Sequence, residues 1–220
     1  MNPLAPYIPL VEFLGKAMGP HCEVVLHDVS SPENSIIAIA NGHVSGRSVG
    51  GPLTDLVLKV MKDGLRGNQP FISNYNARLK NNATCRSGSY FIKDANDKII
   101  GVLCVNLDIS KLMETRKFID EMIGAQEPVV PAASPIAETI DVFENLPESI
   151  DDVLNAIIDK VLKEIPVSPE RMSVEEKIDV VKRSNEHGLF LLKGGLSELA
   201  KRMQLSEATI YRYLNKVKGK

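Results

Sequence analysis

The 220-residue sequence has no tryptophan, and aromatic residues make up only 5% of it. Long apolar runs are missing too. The longest, such as residues 36–40, fall far short of the roughly 18 residues that a membrane-spanning helix needs. The start, Met1-Asn2-Pro3-Leu4, has no basic segment leading into an apolar one. A soluble, cytoplasmic protein with no membrane partner is therefore expected. Cysteine is scarce: Cys22, Cys85 and Cys104 are odd in number, far apart and free of any C-x-x-C pair, which argues against a zinc site or a redox dithiol and for buried free thiols.

Metal-binding and phosphate-loop patterns are absent as well. His21, His27, His43 and His187 show no H-x-x-x-H or carboxylate spacing suited to a metal. Gly42, Gly46, Gly50 and Gly51 do not form G-x-G-x-x-G, and no Lys-Ser or Lys-Thr pair completes a phosphate loop. One catalytic reading survives, with Cys104 as nucleophile and His27 as its base if the fold brings them together. The expectation is a non-enzyme with no metal and no cofactor.

What is present is an ordinary globular composition, 44% hydrophobic and 25% charged. The net charge of −2 conceals an asymmetry. Residues 1–149 carry 13 Lys+Arg against 17 Asp+Glu, and residues 150–170 carry 2 against 5. Residues 171–220 carry 11 against 6. A basic end on an acidic body points to a polyanion-binding terminus.

Periodicity divides the chain. A helix is predicted over 8–18, then strands over 23–29 and 35–40 separated by the turn Ser30-Ser31-Pro32-Glu33-Asn34. Leu53, Leu56, Val57, Val60 and Met61 follow helical spacing behind Pro52. Strands are predicted over 70–75, 87–93 and 99–107, and a closing helix over 110–123. This order makes residues 1–123 an α+β domain, a small antiparallel sheet with helices on its flank. Prolines 128, 131, 135 and 147 mark 124–148 as a Pro-rich linker. Ile150, Val153, Leu154, Ile157, Ile158, Val161, Leu162 and Ile165 then form an apolar stripe on a helix over 149–165. That stripe needs a partner, either within its own chain or in a second copy, where it would serve as a connecting and dimerisation helix.

Residues 170–220 read as an all-α helix-turn-helix domain. Ser173-Val174-Glu175-Glu176 is a capping box that opens one helix. A second is predicted over 196–203 and a third over 207–217, with Ser206 as N-cap. Ala200 supplies the small residue at the crossing, and Leu199, Met203, Leu205, Ile210, Tyr213 and Leu214 fix the angle. The outer face of the third helix is then Ser206, Glu207, Thr209, Tyr211, Arg212 and Lys216, which we assign to double-stranded DNA. Arg212 would meet guanine or phosphate, and Ser206, Thr209 and Tyr211 would bond phosphate oxygens. One departure stands out: Gln204 occupies the turn where many such motifs place glycine.

Several segments share a resemblance in matching order. They are 23–28 (EVVLHD), 35–43 (SIIAIANGH), 45–55 (SGRSVGGPLTD), 100–108 (IGVLCVNLD) and 205–214 (LSEATIYRYL). Together they resemble the YheO-like family of bacterial regulators. The resemblance implies a PAS-like sensor domain followed by a DauR-like helix-turn-helix domain in a transcriptional regulator. A PAS-like domain would enclose a small-molecule effector in a largely apolar site with a few polar groups. The candidates are His27, Asn41, Arg47, Thr54, Ser89, Cys104 and Asn106. Among them Asn106 is the strongest, because an amide inside an apolar run is costly unless it is partnered; for Arg47 the bland alternative is a pair with Asp55. The expected protein is a homodimeric, ligand-responsive, sequence-specific DNA-binding regulator. A ligand-sensing adaptor that contacts protein instead of DNA is the alternative.

Overall fold

The computed structural model describes residues 2–64, 69–79, 83–124 and 143–219. Its centre is a sheet of β1 (Cys22–Asp28), β2 (Ile36–Ala40), β3 (Phe71–Arg78), β4 (Thr84–Lys93), β5 (Ile99–Asp108) and β6 (Phe143–Asn145). The strand order is β2-β1-β5-β4-β3-β6. All neighbours run antiparallel except β3 and β6, whose parallel pairing makes the sheet mixed. The 3-residue β6 falls where the Pro-rich linker is expected, and Leu146 just after it is buried. Residues 125–142, which hold three of the four linker prolines, lie outside the described residues.

The strands alternate between two buried faces, as a period of 2 requires. On the outer face Cys22, Val24, Leu26 and Ile92 meet Leu4 and Val11, brought there by α1 (Ile8–Met18) and the turn before it. Gly15 of α1 is obligatory at this contact, because a β-carbon there would stand 2.4 Å from that of Ala40. On the inner face Val25, Phe91, Val102 and Cys104 pack under α2 (Asp55–Asp63). Full burial of Phe91 alone contributes about 2–3 kcal/mol. Thr54 caps α2 by accepting from the Val57 N–H at 3.3 Å, and Gly64 ends it at a φ of +78°. The next helix, α3 (Ser110–Met122), has no buried residue and exposes Leu112, Met113, Phe118 and Ile119.

Beyond the sheet lie α4 (Ile150–Lys163), α5 (Val174–Glu186), α6 (Gly195–Arg202) and α7 (Glu207–Lys218). Ser149 with Asp152 and Ser173 with Glu176 form reciprocal capping boxes at the starts of α4 and α5. The α4 stripe finds its partner inside its own chain: Val153, Leu154, Ile157, Ile158 and Val161 are buried, with α4 set against α2, α5 and α6. It is not a free face for a second copy. One apolar core consequently runs from Val25 in the sheet to Leu214 in α7. Lys62 at the end of α2 donates to Asn185 of α5 at 2.6 Å, and the Lys193 N–H donates to Glu33 at 2.7 Å.

Candidate functional site

The inner face of the sheet carries a buried polar cluster among its apolar residues. Glu23 on β1 anchors it. Its Oε1 accepts from Asn106 Nδ2 at 2.9 Å and from Arg47 Nη2 at 2.5 Å, and its Oε2 accepts from the Ser45 hydroxyl. Ser45 Oγ in turn accepts from Arg47 Nε at 3.0 Å, and Ser87 donates to Asn106 Oδ1 at 2.8 Å. The register explains the convergence, since Glu23 pairs with Asn106 across β1–β5 and Asn106 pairs with Ser87 across β5–β4. Arg47 is thus held by Glu23 and not by Asp55, the pairing considered from sequence. A buried ion pair of this kind is stable only when its remaining valences are met, and here Ser45 and Asn106 meet most of them.

A second run continues along the same face. Tyr75 Oη lies 2.9 Å from Ser89 Oγ, which lies 3.1 Å from Cys104 Sγ. Burial pushes the Cys104 thiol up to about 12, so the sulfur is neutral at physiological pH. The His27 ring is wholly buried, with Nδ1 2.8 Å from Ser35 Oγ. Ser35 donates to the Gly51 carbonyl at 3.2 Å, which leaves its oxygen to accept from Nδ1–H and makes Nε2 a bare acceptor. Burial, aided by Arg47, lowers the imidazole to about 3 and keeps it neutral. The thiol bonds to Ser89 and the imidazole to Ser35, so they do not form the nucleophile–base pair considered for Cys104 and His27.

The third part was not visible from sequence. Asp55, at the start of α2, accepts from the Asn145 N–H at 3.1 Å, from Asn145 Nδ2 at 2.9 Å and from the Leu56 N–H at 2.9 Å. These bonds tie β6 to α2 and deliver Glu144 into the same interior. Glu144 is 1% exposed; the Thr54 and Tyr75 hydroxyls lie beside its carboxylate, but neither oxygen has a partner of full hydrogen-bond geometry. Burial raises its pKa to about 7; the nearby Thr54 and Tyr75 hydroxyls and Arg47 oppose the shift, and Asp55 adds to it. Arg47 Nη1 and His27 Nε2 are also buried without a partner.

Of the seven sequence candidates, His27, Arg47, Thr54, Ser89, Cys104 and Asn106 are buried at or beside this cluster. Asn41 is not part of it. In the left-handed region at a φ of +55°, it donates to the carbonyls of Gly15, Gly19 and Cys22 at 2.8–3.1 Å, fastening the end of α1 to β1. Sequence reasoning missed Glu23, Ser45, Tyr75, Ser87 and Glu144. Glu23 shares the alternation that buries Val25 and His27, a signal that was available. Glu144 had none, because nothing local marks a 3-residue strand beside a proline-rich stretch.

At the other end of the chain, α5, α6 and α7 pack on Val180, Val181, Leu199, Ala200, Met203, Ile210, Tyr213 and Leu214. Leu205, expected in that set, is half-buried at its edge. The turn closes by a Leu205 N–H to Ala200 carbonyl bond of 2.9 Å. Gln204 takes the left-handed conformation, φ +53°, that glycine would adopt at little cost, and its side chain donates to Glu170 at 3.0 Å. Tyr211, Arg212 and Lys216 lie exposed on α7, with Arg212 over the Tyr213 ring at 5.6 Å. Ser206 and Thr209 are engaged with each other at the N-cap, and Glu207 accepts from Ser197 at 2.6 Å.

Among the described residues no group of three or more His, Cys, Asp or Glu side chains is arranged to hold a metal ion. No described helix is long and apolar enough to cross a membrane.

Comparison with known proteins places this geometry in context. Residues 2–124 match the YheO-like PAS domain family, and residues 153–215 match an HTH domain. Protein YheO of Escherichia coli is 26% identical over 220 residues, covering 98% of this chain and 85% of that one. A protein of Haemophilus influenzae is 27% identical over 212 residues, covering 96% and 90%. Transcriptional regulator DauR of Pseudomonas aeruginosa is 24% identical over 212 residues, covering 96% and 93%.

Proposed function

This chain belongs to the YheO-like PAS domain family, and from that membership we propose that it is a cytoplasmic transcriptional regulator. Its helix-turn-helix binds double-stranded DNA in a sequence-specific way, and its PAS-like domain answers to a small molecule. The observation that carries the DNA half is α7. One side of it is locked by Ile210, Tyr213 and Leu214, while Tyr211, Arg212 and Lys216 are exposed on the other. A helix fixed in this manner, with a polar outer face, suits the major groove. The similarity to transcriptional regulator DauR supports the same reading.

The sensing half rests on the buried cluster and on its mechanical link to the DNA-binding unit. Thr54 and Asp55 belong both to the cluster and to the start of α2, and α2 packs against α4 and α5. A ligand that prefers one arrangement of the cluster would shift α2, and with it α5, only by its differential affinity for the two arrangements. The regulator acts as a homodimer in this account, so that two helix-turn-helix units span two half-sites. With the α4 stripe buried, the exposed apolar side of α3 is the surface we assign to self-association.

The test is selection from a pool of random duplexes by the full chain at physiological salt. One enriched motif is expected. A bound pool indistinguishable from the input would refute sequence-specific regulation, and a protein partner retained in its place would favour the adaptor.

A further inference from the structure

Among the described residues the buried cluster contains three carboxylates, Glu23, Asp55 and Glu144, and a single cation, Arg47. His27 adds no charge, because burial holds its imidazole neutral. Arg47 is committed to Glu23, and Asp55 is satisfied by three N–H donors from Asn145 and Leu56. Glu144 is left with no counter-charge of its own and, beside the Thr54 and Tyr75 hydroxyls, with no hydrogen bond of full geometry. A naked buried carboxylate is among the most costly groups a protein interior can hold. Arg47 Nη1 is the complementary oddity, a buried guanidinium N–H with no acceptor. The two groups act on each other electrostatically and so share one interior.

We propose that Glu144 and Arg47 are the two poles of a site for a small zwitterion, an amino-carboxylic acid whose ammonium group meets Glu144 and whose carboxylate meets Arg47 Nη1. The proposal rests on the reading of the PAS-like domain as a sensor and names what that sensor takes. An ammonium group supplies both things Glu144 lacks, a positive charge and up to three donors. Thr54 and Tyr75 lie beside Glu144, and Ser89 bonds Tyr75, so hydroxyls able to donate or accept adjoin the carboxylate. A ligand without an amine leaves Glu144 as it is, and a ligand without an acceptor leaves Nη1 as it is. Because Asp55 and Asn145 hold β6 to α2, the carboxylate that receives the ammonium sits next to the helix that touches α5.

The experiment is calorimetric titration of the full chain with α-, β-, γ- and longer amino acids of both hands, beside the matching amines and the matching carboxylic acids. At least one amino acid is expected to bind, while its matching amine and acid bind at least 10-fold more weakly. Binding at pH 7 should release up to about half a proton, read from buffers of different ionisation enthalpy, because the ammonium drives Glu144 to its ionised form. Glu144→Gln should weaken that amino acid at least 10-fold while raising the melting temperature of the unliganded protein. A merely structural Glu144 would lower it. Arg47→Lys, which keeps the charge beside Glu23, should also weaken binding at least 10-fold; if this variant does not fold, the Glu144→Gln and proton-release results still decide. An amine-free ligand, or an amino acid that binds Glu144→Gln as well as the parent, would overturn the zwitterion assignment and leave the sensor standing. No binding across the panel, with no added mass in native mass spectrometry of the chain from its own cells, would overturn the sensor reading with it.

Discussion

Gly188 rests on the backbone of Leu58: a β-carbon built on it, at a φ of +77°, would stand 3.1 Å from the Leu58 carbonyl oxygen and from its Cβ. This is where the turn after α5 closes onto α2, the helix that roofs the buried cluster. Gly64 has nearly the same φ, +78°, with nothing within 4 Å of the position its β-carbon would take. The two glycines therefore separate conformational strain from contact.

Gly64→Ala should cost about 1 kcal/mol, the strain of a left-handed alanine. Gly188→Ala should cost roughly 2–3 kcal/mol, because the crowding against Leu58 adds to that strain. Urea unfolding of the two variants checks this. Equal costs would mean that the α2–α5 contact carries nothing.

Gln204 gives a second test of backbone strain, inside the helix-turn-helix. Gln204→Gly and Gln204→Ala both lose the amide bond to Glu170 and differ only in the ease of a positive φ. The glycine variant should be more stable by roughly 1 kcal/mol. Equal melting temperatures would show that the turn relaxes away from φ +53°.

The pH dependence of folding follows from two buried groups with opposite signs. Glu144 is raised to about 7, so the folded state holds a proton that the unfolded state releases near 4.5. Its contribution is present at low pH and is lost as pH rises from 4.5 through 7. His27 is lowered to about 3 from 6.5, so its burial destabilises increasingly as pH falls below 6.5. Glu144→Gln should gain on the parent as pH rises above 5 and level off near 8, by an amount on the order of 2–3 kcal/mol. A gain that is constant with pH would mean that Glu144 titrates normally.

The two exposed or hidden apolar stripes make contrasting predictions. Ile157 is 1% exposed in the core of its own chain, so Ile157→Asp should fail to fold and not yield a folded monomer. Ile119 is 51% exposed on α3. Ile119→Glu should keep its circular dichroism and halve its mass by light scattering. An Ile119→Glu variant that keeps the parent's mass removes α3 from the interface.

The elements with strong periodicity were legible in the sequence: β1, β2 and β5, all the longer helices and the Ser173 capping box lie within a few residues of where the pattern puts them. The helix-turn-helix was legible for the same reason, since local caps and spacing encode it. Part of the buried cluster was legible too, because an amide or an imidazole in an apolar strand has to be satisfied. What could not be read were its long-range partners. Arg47 finds Glu23, 24 positions away, from the loop between β2 and α2. Glu144 arrives on a strand whose only reason to exist is the tertiary edge offered by β3. The destination of the α4 stripe was likewise open, because periodicity records that a face is buried and not what buries it.

The most direct test of the account is the affinity of the full chain, at physiological salt, for a duplex of its own upstream region against a random duplex of equal length, measured for the parent and for Arg212→Ala. The parent should prefer its own region by at least 10³-fold, with affinity falling steeply as salt is raised. Arg212→Ala should lose roughly 1–3 kcal/mol on that duplex and much less on the random one. Equal binding of both duplexes by the parent protein would contradict sequence-specific regulation outright.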